Sequence, residues 1–321
     1  MGGCRLDMQF LRRNHPLQNQ TKSEDLSATG RISVVRDRHL VPLLTSPHSQ
    51  ASAEQPWKGV LLESHLVQPG EIPQHEHPDL VLHLQLTGSD DFEWWSAGKN
   101  AIEQTRPGSM ILIPPGTSDR LRWRGPSERL IVSVRQSDLA HLANDLGVSG
   151  TPEFTTNWSF RDLSTQHLVT EMGRETRSGF PLGTLYADLL AIGLQTQLFK
   201  SHTVDPLKTP ALKGGISLPK LKRAMEYINT NLAEDLHLES IANELDLSAS
   251  HFAHEFRNTT GQTPYQYLLD QRMAKAKDLL RRTHLPVQYI SASTGFSSSA
   301  NFVRTFRQRI GLTPEAWRRN Q

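Results

Sequence analysis

Cysteine is almost missing from this chain: Cys4 is the one such residue among 321. That excludes an internal disulfide framework and any zinc site built on several thiolates. Long apolar runs are missing as well, and none approaches the length needed to span a bilayer. The N-terminus carries arginines without an apolar core and a cleavage site, so no secretory signal is expected. An excess of one charge is also missing, since the formal net charge is +2. The expectation is a cytoplasmic protein, and the length suggests two domains.

What the chain does have, from residue 241 onward, is a motif written twice. The first copy reads Ile241-Ala242, Leu245, Leu247-Ser248, Phe252, Phe256-Arg257, Gly261, Thr263-Pro264, Tyr267. The second reads Ile290-Ser291, Thr294, Phe296-Ser297, Phe302, Phe306-Arg307, Gly311, Thr313-Pro314, Trp317. From each first Phe the spacing is identical, which marks one supersecondary unit used twice. Each copy predicts a short helix with an Ile/Leu stripe, a tight turn, and a second helix whose phenylalanines at i and i+4 face inward. Ser248 and Ser297 are the expected N-caps. Gly261 and Gly311 fit left-handed helix ends, and Pro264 and Pro314 fit first turns. The product is a pair of helix-turn-helix units, whose second helices are able to enter a DNA major groove.

Between the units, Thr263 to about Arg282 is rich in good helix formers, with Leu268, Arg272, Ala276 and Leu279 along one face. A helix of that length spans roughly 27–30 Å. Successive major-groove faces lie about 34 Å apart, so one rigid helix suits two recognition helices in adjacent grooves. From Arg257 to the end, 11 Lys and Arg stand against 3 Asp and Glu, a local +8, which leaves the rest of the chain near −6. Positive charge gathered on this end is what phosphate neutralisation needs.

The segment from about Leu218 to Trp317 resembles the DNA-binding domain of the AraC-type (arabinose-regulator-like) transcription factors. Its most specific part is Gly295-Phe296-Ser297, Asn301-Phe302, Arg304, Phe306-Arg307, Gly311, Thr313-Pro314, Trp317. One departure is Ser291, where the family usually has Ala. The resemblance implies base-facing positions at Ser250, Ala253, His254, Ser299, Ala300, Val303 and Arg304, with Arg257 and Arg307 placed for phosphates. It also implies double-stranded DNA as partner, a homodimer, and RNA polymerase as a further candidate partner.

Before this domain the pattern differs. Residues 1–55 are polar, with weak periodicity, and are expected to be a partly mobile extension. Val60 to Val67, Leu80 to Leu86, Ser109 to Ile113 and Leu130 to Val134 read as strands separated by Pro/Gly turns, as in a small barrel or jelly roll. Helical patterns follow after Ser137, near Leu163 to Arg174, and from about Leu182 to Phe199. Residues 204–217, with two prolines, a third soon after at Pro219, and two adjacent glycines, read as a linker. The expected fold class is α+β. Residues 56–203 form an effector and dimerisation domain, and 218–321 form the all-α double helix-turn-helix domain.

Residues 56–203 resemble the cupin-like effector domains that often precede AraC-type DNA-binding domains. Pro69-Gly70 followed by His75-Glu76-His77, and Gly108 followed by Pro114-Pro115-Gly116, carry that resemblance. In metal-binding cupins the His-x-His pair is completed by a Glu and a later His. Here the Glu position near Val81 or Leu82 is apolar, and the later His position is Asp119. A metal site needs three or four converging donors, so neither a metal nor another cofactor is expected, with His83 or Asp119 as the conceivable substitutes. His75, His77, His83, Trp95 and Asp119 are instead candidate effector-pocket residues. Trp94 and Trp95 point to opposite faces if they lie on a strand, so at most one lines the pocket.

The Leu182–Phe199 stripe is wider than one buried face requires; it is either a helix docked on its own barrel or a dimer contact. A ligand-responsive, DNA-binding transcription regulator that is not an enzyme accounts for both halves. A cupin-type metalloenzyme fused to a DNA-binding module, or a ligand-independent DNA binder, are the alternatives. A DNA-repair methyltransferase would need reactive or zinc-binding cysteines that the chain lacks.

Overall fold

The computed structural model describes residues 31–44, 57, 59–145, 152–204 and 216–320. Its first half contains β1 (Ser33–Arg36), β2 (His39–Pro42), β3 (Val60–Val67), β4 (Gly70–Glu76), β5 (Leu80–Gln85) and β6 (Asp90–Ser96). Then come β7 (Lys99–Thr105), β8 (Met110–Ile113), β9 (Ser118–Trp123), β10 (Ser127–Val134), α1 (Gln136–Asp145), β11 (Asn157–Phe160), α2 (Leu163–Arg177) and α3 (Thr184–His202). The helical half runs through α4 (Leu218–Thr230), α5 (Leu238–Asn243), α6 (Ala249–Thr260), α7 (Pro264–Arg282), α8 (Val287–Ser293), α9 (Ser299–Ile310) and α10 (Pro314–Arg319).

The strands form two antiparallel sheets, ordered β2-β1-β4-β9-β6-β7 and β11-β8-β5-β10-β3. Ile72, Phe92, Leu121 and Trp123 of the first sheet pack against Val67, Val81, Ile111 and Ile131 of the second. The outer face of the second sheet, with Leu62, Leu82, Leu84, Leu130 and Val132, is covered by Leu139, Val169, Met172, Leu194 and Leu198 from α1, α2 and α3. Strand β5 is therefore buried on both faces, which is why its sequence is almost continuously apolar. Strands β4, β6, β7 and β9 belong to the sheet with a solvated face. Their apolar residues are sparse, so the pattern of short runs does not reveal them.

The structure adds detail to two expectations about the N-terminal half. Part of the extension is built into the fold: Ile32, Val34 and Leu43 are buried, and the β1–β2 hairpin joins the first sheet through Val35 opposite Glu76. Residues 1–30 and 45–56 lie outside the described residues, as does most of the 204–217 linker. Of the two readings left open for the Leu182–Phe199 stripe, core packing describes its buried leucines. Leu190, Leu194 and Leu198 enter the core against the second sheet, while Leu185 enters the core of the helical domain with Leu189 and Ile192 packed beside it. The stripe is wide because one helix serves two cores.

Polar contacts reinforce this junction. Gly183 at the α3 N-cap offers no side chain, and the Asp235 carboxylate instead accepts from the Thr184 N–H and hydroxyl at 3.1 and 2.9 Å. Reciprocally, α5 has no side-chain cap of its own, and Asp188 on α3 accepts the Leu238 N–H at 3.0 Å. Each helix start is stabilised by a carboxylate from the other domain, with the sign that the helix dipole favours.

Candidate nucleic-acid interface and interior polar cluster

Both recognition helices are built as the repeat demands. Phe252 and Phe256 in α6, and Phe302 and Phe306 in α9, are fully buried in one shared core. Their rings meet within each helix at 5.5 and 5.6 Å. Truncating such a ring to alanine costs about 3–5 kcal/mol, so these four residues fix the roll of both helices. Gly261 and Gly311 end the helices in the left-handed conformation, each donating its N–H to the carbonyl four residues back.

Ser248 caps α6 by accepting the His251 N–H at 3.3 Å. In the second unit the cap is Ser298, not Ser297; its hydroxyl accepts the Asn301 N–H at 3.2 Å. The second turn is one residue longer, so the register counted back from the helix phenylalanine, and not forward from the preceding apolar residue, sets the cap. That longer turn bends at Gly295, with φ of +76°, where a Cβ would meet the Leu232 carbonyl oxygen at 2.4 Å. The first turn uses Asp246 with φ of 54°.

Helix α7 carries the two units. Thr263 and Gln266 form a capping box at its start, and its 19 residues span roughly 28 Å. Arg272 lies buried at its middle and donates to the carbonyls of Leu232 at 2.9 Å and Glu234 at 2.8 Å. Its guanidinium also lies 5.8 Å from the Phe296 ring centre. One side chain thus ties the loop after α4 to the turn of the second unit.

With the phenylalanines inside, His254, Arg257, Ala300, Arg304 and Arg307 are exposed. Ser250, Ala253, Ser299 and Val303 are half-buried at the flanks. Ala300, Val303, Arg304, Arg307, Gln308 and Thr313 line one shallow groove on α9. Arg304 is the long planar donor among the base-facing set, and its Nη2 donates to the Asn301 side-chain oxygen at 3.1 Å.

A helix-turn-helix domain model matches residues 241–320. The regulatory protein PocR of Salmonella typhimurium is 34% identical over 31% of this chain and 33% of its own length. The arabinose operon regulatory protein of Escherichia coli is 29% identical over 66% of this chain and 72% of its own. Among solved structures, a transcriptional regulator from Chromobacterium violaceum described as AraC-type is 31% identical, covering 31% of this chain and 89% of that one at a TM-score of 0.30. The chain spans only a third of PocR, but most of the arabinose regulator. The C-terminal domain is an AraC-type DNA-binding domain.

The sheets of the N-terminal half enclose a second set of polar groups. His75, His77, His83 and Asp119 are all buried. His75 lies directly opposite Asp119 across β4 and β9. A β-bulge between Ile72 and His75 makes this possible: Ile72 faces the core, and strict alternation would turn His75 outward. His77 is held by its own N–H to the Thr117 carbonyl at 3.0 Å and by its carbonyl to the Gly116 N–H at 2.7 Å. His83 on β5 is enclosed, and burial, with Arg129 and His77 adding to it, holds its pKa well below the ordinary value. Burial also lowers His75, with the nearby Asp119 opposing.

Trp95 does not join this group. Alternation along β6 turns Phe92 and Trp94 inward, with Trp94 stacked on Trp158 at 4.7 Å, and leaves Trp95 on the outer face beneath Arg120 and Arg122. Sequence reading also missed Glu63, His65, Gln85 and Arg129, all buried. Arg129 donates to Ser127 at 2.9 Å and to Gln85 at 3.2 Å. Burial disfavours the charge on Glu63, yet hydrogen bonds from His65, the Ile32 N–H and Arg31 outweigh it and lower the pKa. The signal was present: Glu63 and His65 sit at the same alternation phase as the inward-facing Val67.

Among the described residues, no helix is long and apolar enough to cross a membrane.

Proposed function

We propose that this protein is a cytoplasmic, homodimeric transcription regulator that sets α6 and α9 in adjacent major grooves and responds to a small molecule held between its sheets. The sandwich itself is read as a cupin-like jelly roll. The observation that carries the DNA part is the paired burial of Phe252/Phe256 and Phe302/Phe306, which leaves an equivalent exposed face on each recognition helix. A dimer raises affinity further, because the second domain then binds at high effective concentration.

The effector part rests on the interior. Polar and ionisable groups cost free energy when buried, and a sandwich built only for stability would fill these positions with apolar side chains. Glu63, His65, His83, Gln85 and Arg129 instead face the space between the sheets, with a guanidinium and hydrogen-bonding groups suited to a small polar or anionic ligand. Genome-wide mapping of bound DNA, followed by a promoter-reporter assay with and without the small molecules handled by the neighbouring genes, tests the whole reading. Sites shared with random DNA controls, or a reporter indifferent to substitution of Arg129 and His83, would overturn it.

A further inference from the structure

We propose that a cleft at one end of the sandwich, where β7 passes beside β11, binds a small dianionic metabolite through Arg106, Arg124 and Arg161. The ligand class is a compact oxyanion, a phosphate ester or a dicarboxylate. The cleft opens on the surface, outside the space between the sheets, so the inference is independent of the effector reading given above.

A tight turn builds the cleft. Arg106-Pro107-Gly108-Ser109 joins β7 to β8, and the Ser109 N–H donates to the Arg106 carbonyl at 2.8 Å. Proline at the second position and glycine at the third, with φ of +87°, suit a type II turn. The turn is pinned to β5: the Gly108 N–H donates to the Gln85 carbonyl at 2.8 Å, and the Gln85 N–H to the Ser109 carbonyl at 3.0 Å. The Ser109 hydroxyl accepts the Arg106 N–H at 3.1 Å, and a hydroxyl that accepts still has its hydrogen to donate into the cleft.

Arg161, which follows β11, is seated on that turn. Its Nη2 donates to the Pro107 carbonyl at 3.2 Å. A Cβ at Gly108 would meet the same nitrogen at 2.8 Å, so the glycine makes room for the guanidinium. That bond uses one N–H of a planar fork whose geometry matches an oxyanion. Arg124, just past β9, lies 3.6 Å from the Glu93 carboxylate, which also pairs with Arg122. Glu93 thus answers two cations and does not neutralise Arg124 in full.

Among the lining residues, three guanidinium groups stand against the single Asp91 carboxylate, an excess of +2. All three arginines are exposed and accessible. Cations gathered in one concavity repel one another and focus a positive potential there, which a dianion relieves. The cleft measures about 750 Å3, within the range of small-molecule sites, and its other walls are mostly hydroxyl and amide groups beside the Phe160 ring. It therefore has room for a hydroxylated carbon skeleton as well as the charged group.

The test uses the full-length protein in calorimetric titrations with inorganic phosphate, glucose 6-phosphate, succinate and glucose. Saturable binding of one anion per chain is expected, weakening as salt rises, with no binding of glucose at this cleft. The tighter of glucose 6-phosphate and succinate shows which oxyanion the cleft prefers. Arg161→Ala and Arg106→Ala should each weaken anion binding about 10- to 100-fold, as loss of a charge-assisted hydrogen bond does. Arg161→Lys, which keeps the charge and loses the fork, should recover part of that loss. Lys99→Ala removes a positive charge at the far end of β7 and should leave affinity unchanged. Circular dichroism melts establish that the variants are folded. A second measurement needs no variant: an arginine-specific dicarbonyl reagent, read by mass spectrometry, should modify Arg106 and Arg161 more slowly when glucose 6-phosphate or succinate is present. Exposed Arg38, between β1 and β2, should react at an unchanged rate. No saturable binding of any of the three anions, equal losses in Lys99→Ala and Arg161→Ala, or undiminished modification of both cleft arginines would each overturn the site.

Discussion

Ser250, on the first recognition helix, donates its hydroxyl hydrogen to Asp145 of α1 across 2.6 Å. A residue on the side of α6 expected to read DNA is thus held by the N-terminal domain. A single hydrogen bond to a charged acceptor contributes about 1.5–3 kcal/mol, so DNA binding through this face must displace a contact of measurable strength. Asp145→Ala is expected to tighten DNA binding several-fold, and Asp145→Asn, which keeps an acceptor, less so. Fluorescence anisotropy at fixed salt measures both; weaker binding by the alanine variant would show that the contact supports the DNA-bound arrangement.

Arg304 and Arg307 should behave differently, although both are exposed on α9. Arg304 is the one long fork in the base-facing set, and a bidentate contact to guanine is worth about 1–3 kcal/mol of discrimination. Arg304→Ala should therefore relax preference at one base pair. Arg307→Ala should lower affinity for every sequence and shallow the salt slope by about one. Binding-site selection and salt titrations on each variant separate the two; equal loss of specific and non-specific binding in Arg304→Ala would reassign Arg304 to a phosphate.

Burial pushes the Glu175 carboxyl on α2 up to about 7, against the opposing pull of Arg304 from the second recognition helix. A raised carboxyl pKa means that the folded state holds a proton the unfolded state has released. Stability from this group is complete below about 4.5, the ordinary value, and is lost as pH rises toward 7. Glu175→Gln should flatten that decline and raise stability at pH 8 by on the order of 2 kcal/mol. Thermal melts at pH 5 and pH 8 report it, and a parent protein no less stable at pH 8 than at pH 5 would contradict it.

Leu194 has no exposure and sits in the core beneath the second sheet, while Leu189 packs on the helical domain. Leu194→Ala should cost about 2–5 kcal/mol. Replacing Leu189 and Leu194 together by lysine should unfold or aggregate the protein rather than yield a clean monomer. Sedimentation together with circular dichroism distinguishes these outcomes; a folded monomer would restore the stripe as a subunit contact.

Much of the C-terminal domain is legible because its determinants are local. Phe252 and Phe256 share a helix face by spacing alone, and Gly261 and Gly311 stand where the chain must turn left-handed. The cap at Ser298 was misread for a local reason, a one-residue difference in turn length. The N-terminal domain was legible only in strands with a continuous or strongly alternating apolar pattern. Strand β9, with Asp119, Arg120 and Arg122 among its six residues, buries one face beside a charged one and offers too few apolar positions to announce itself.

By itself the sequence determined the double helix-turn-helix, its inward phenylalanines, the linker helix and the positive end, because helix period, capping and charge act over a few residues. Tertiary structure alone decided that α3 serves two cores, since burial depends on what packs against each face and not on the stripe. It also decided that Trp94 rather than Trp95 turns inward, and that Asp188 and Asp235 cap helices in each other's domain. Above all, the bulge before His75 brought two histidines to Asp119. Strand register is a two-residue alternation that one inserted residue reverses, and only pairing with the neighbouring strand reveals the insertion.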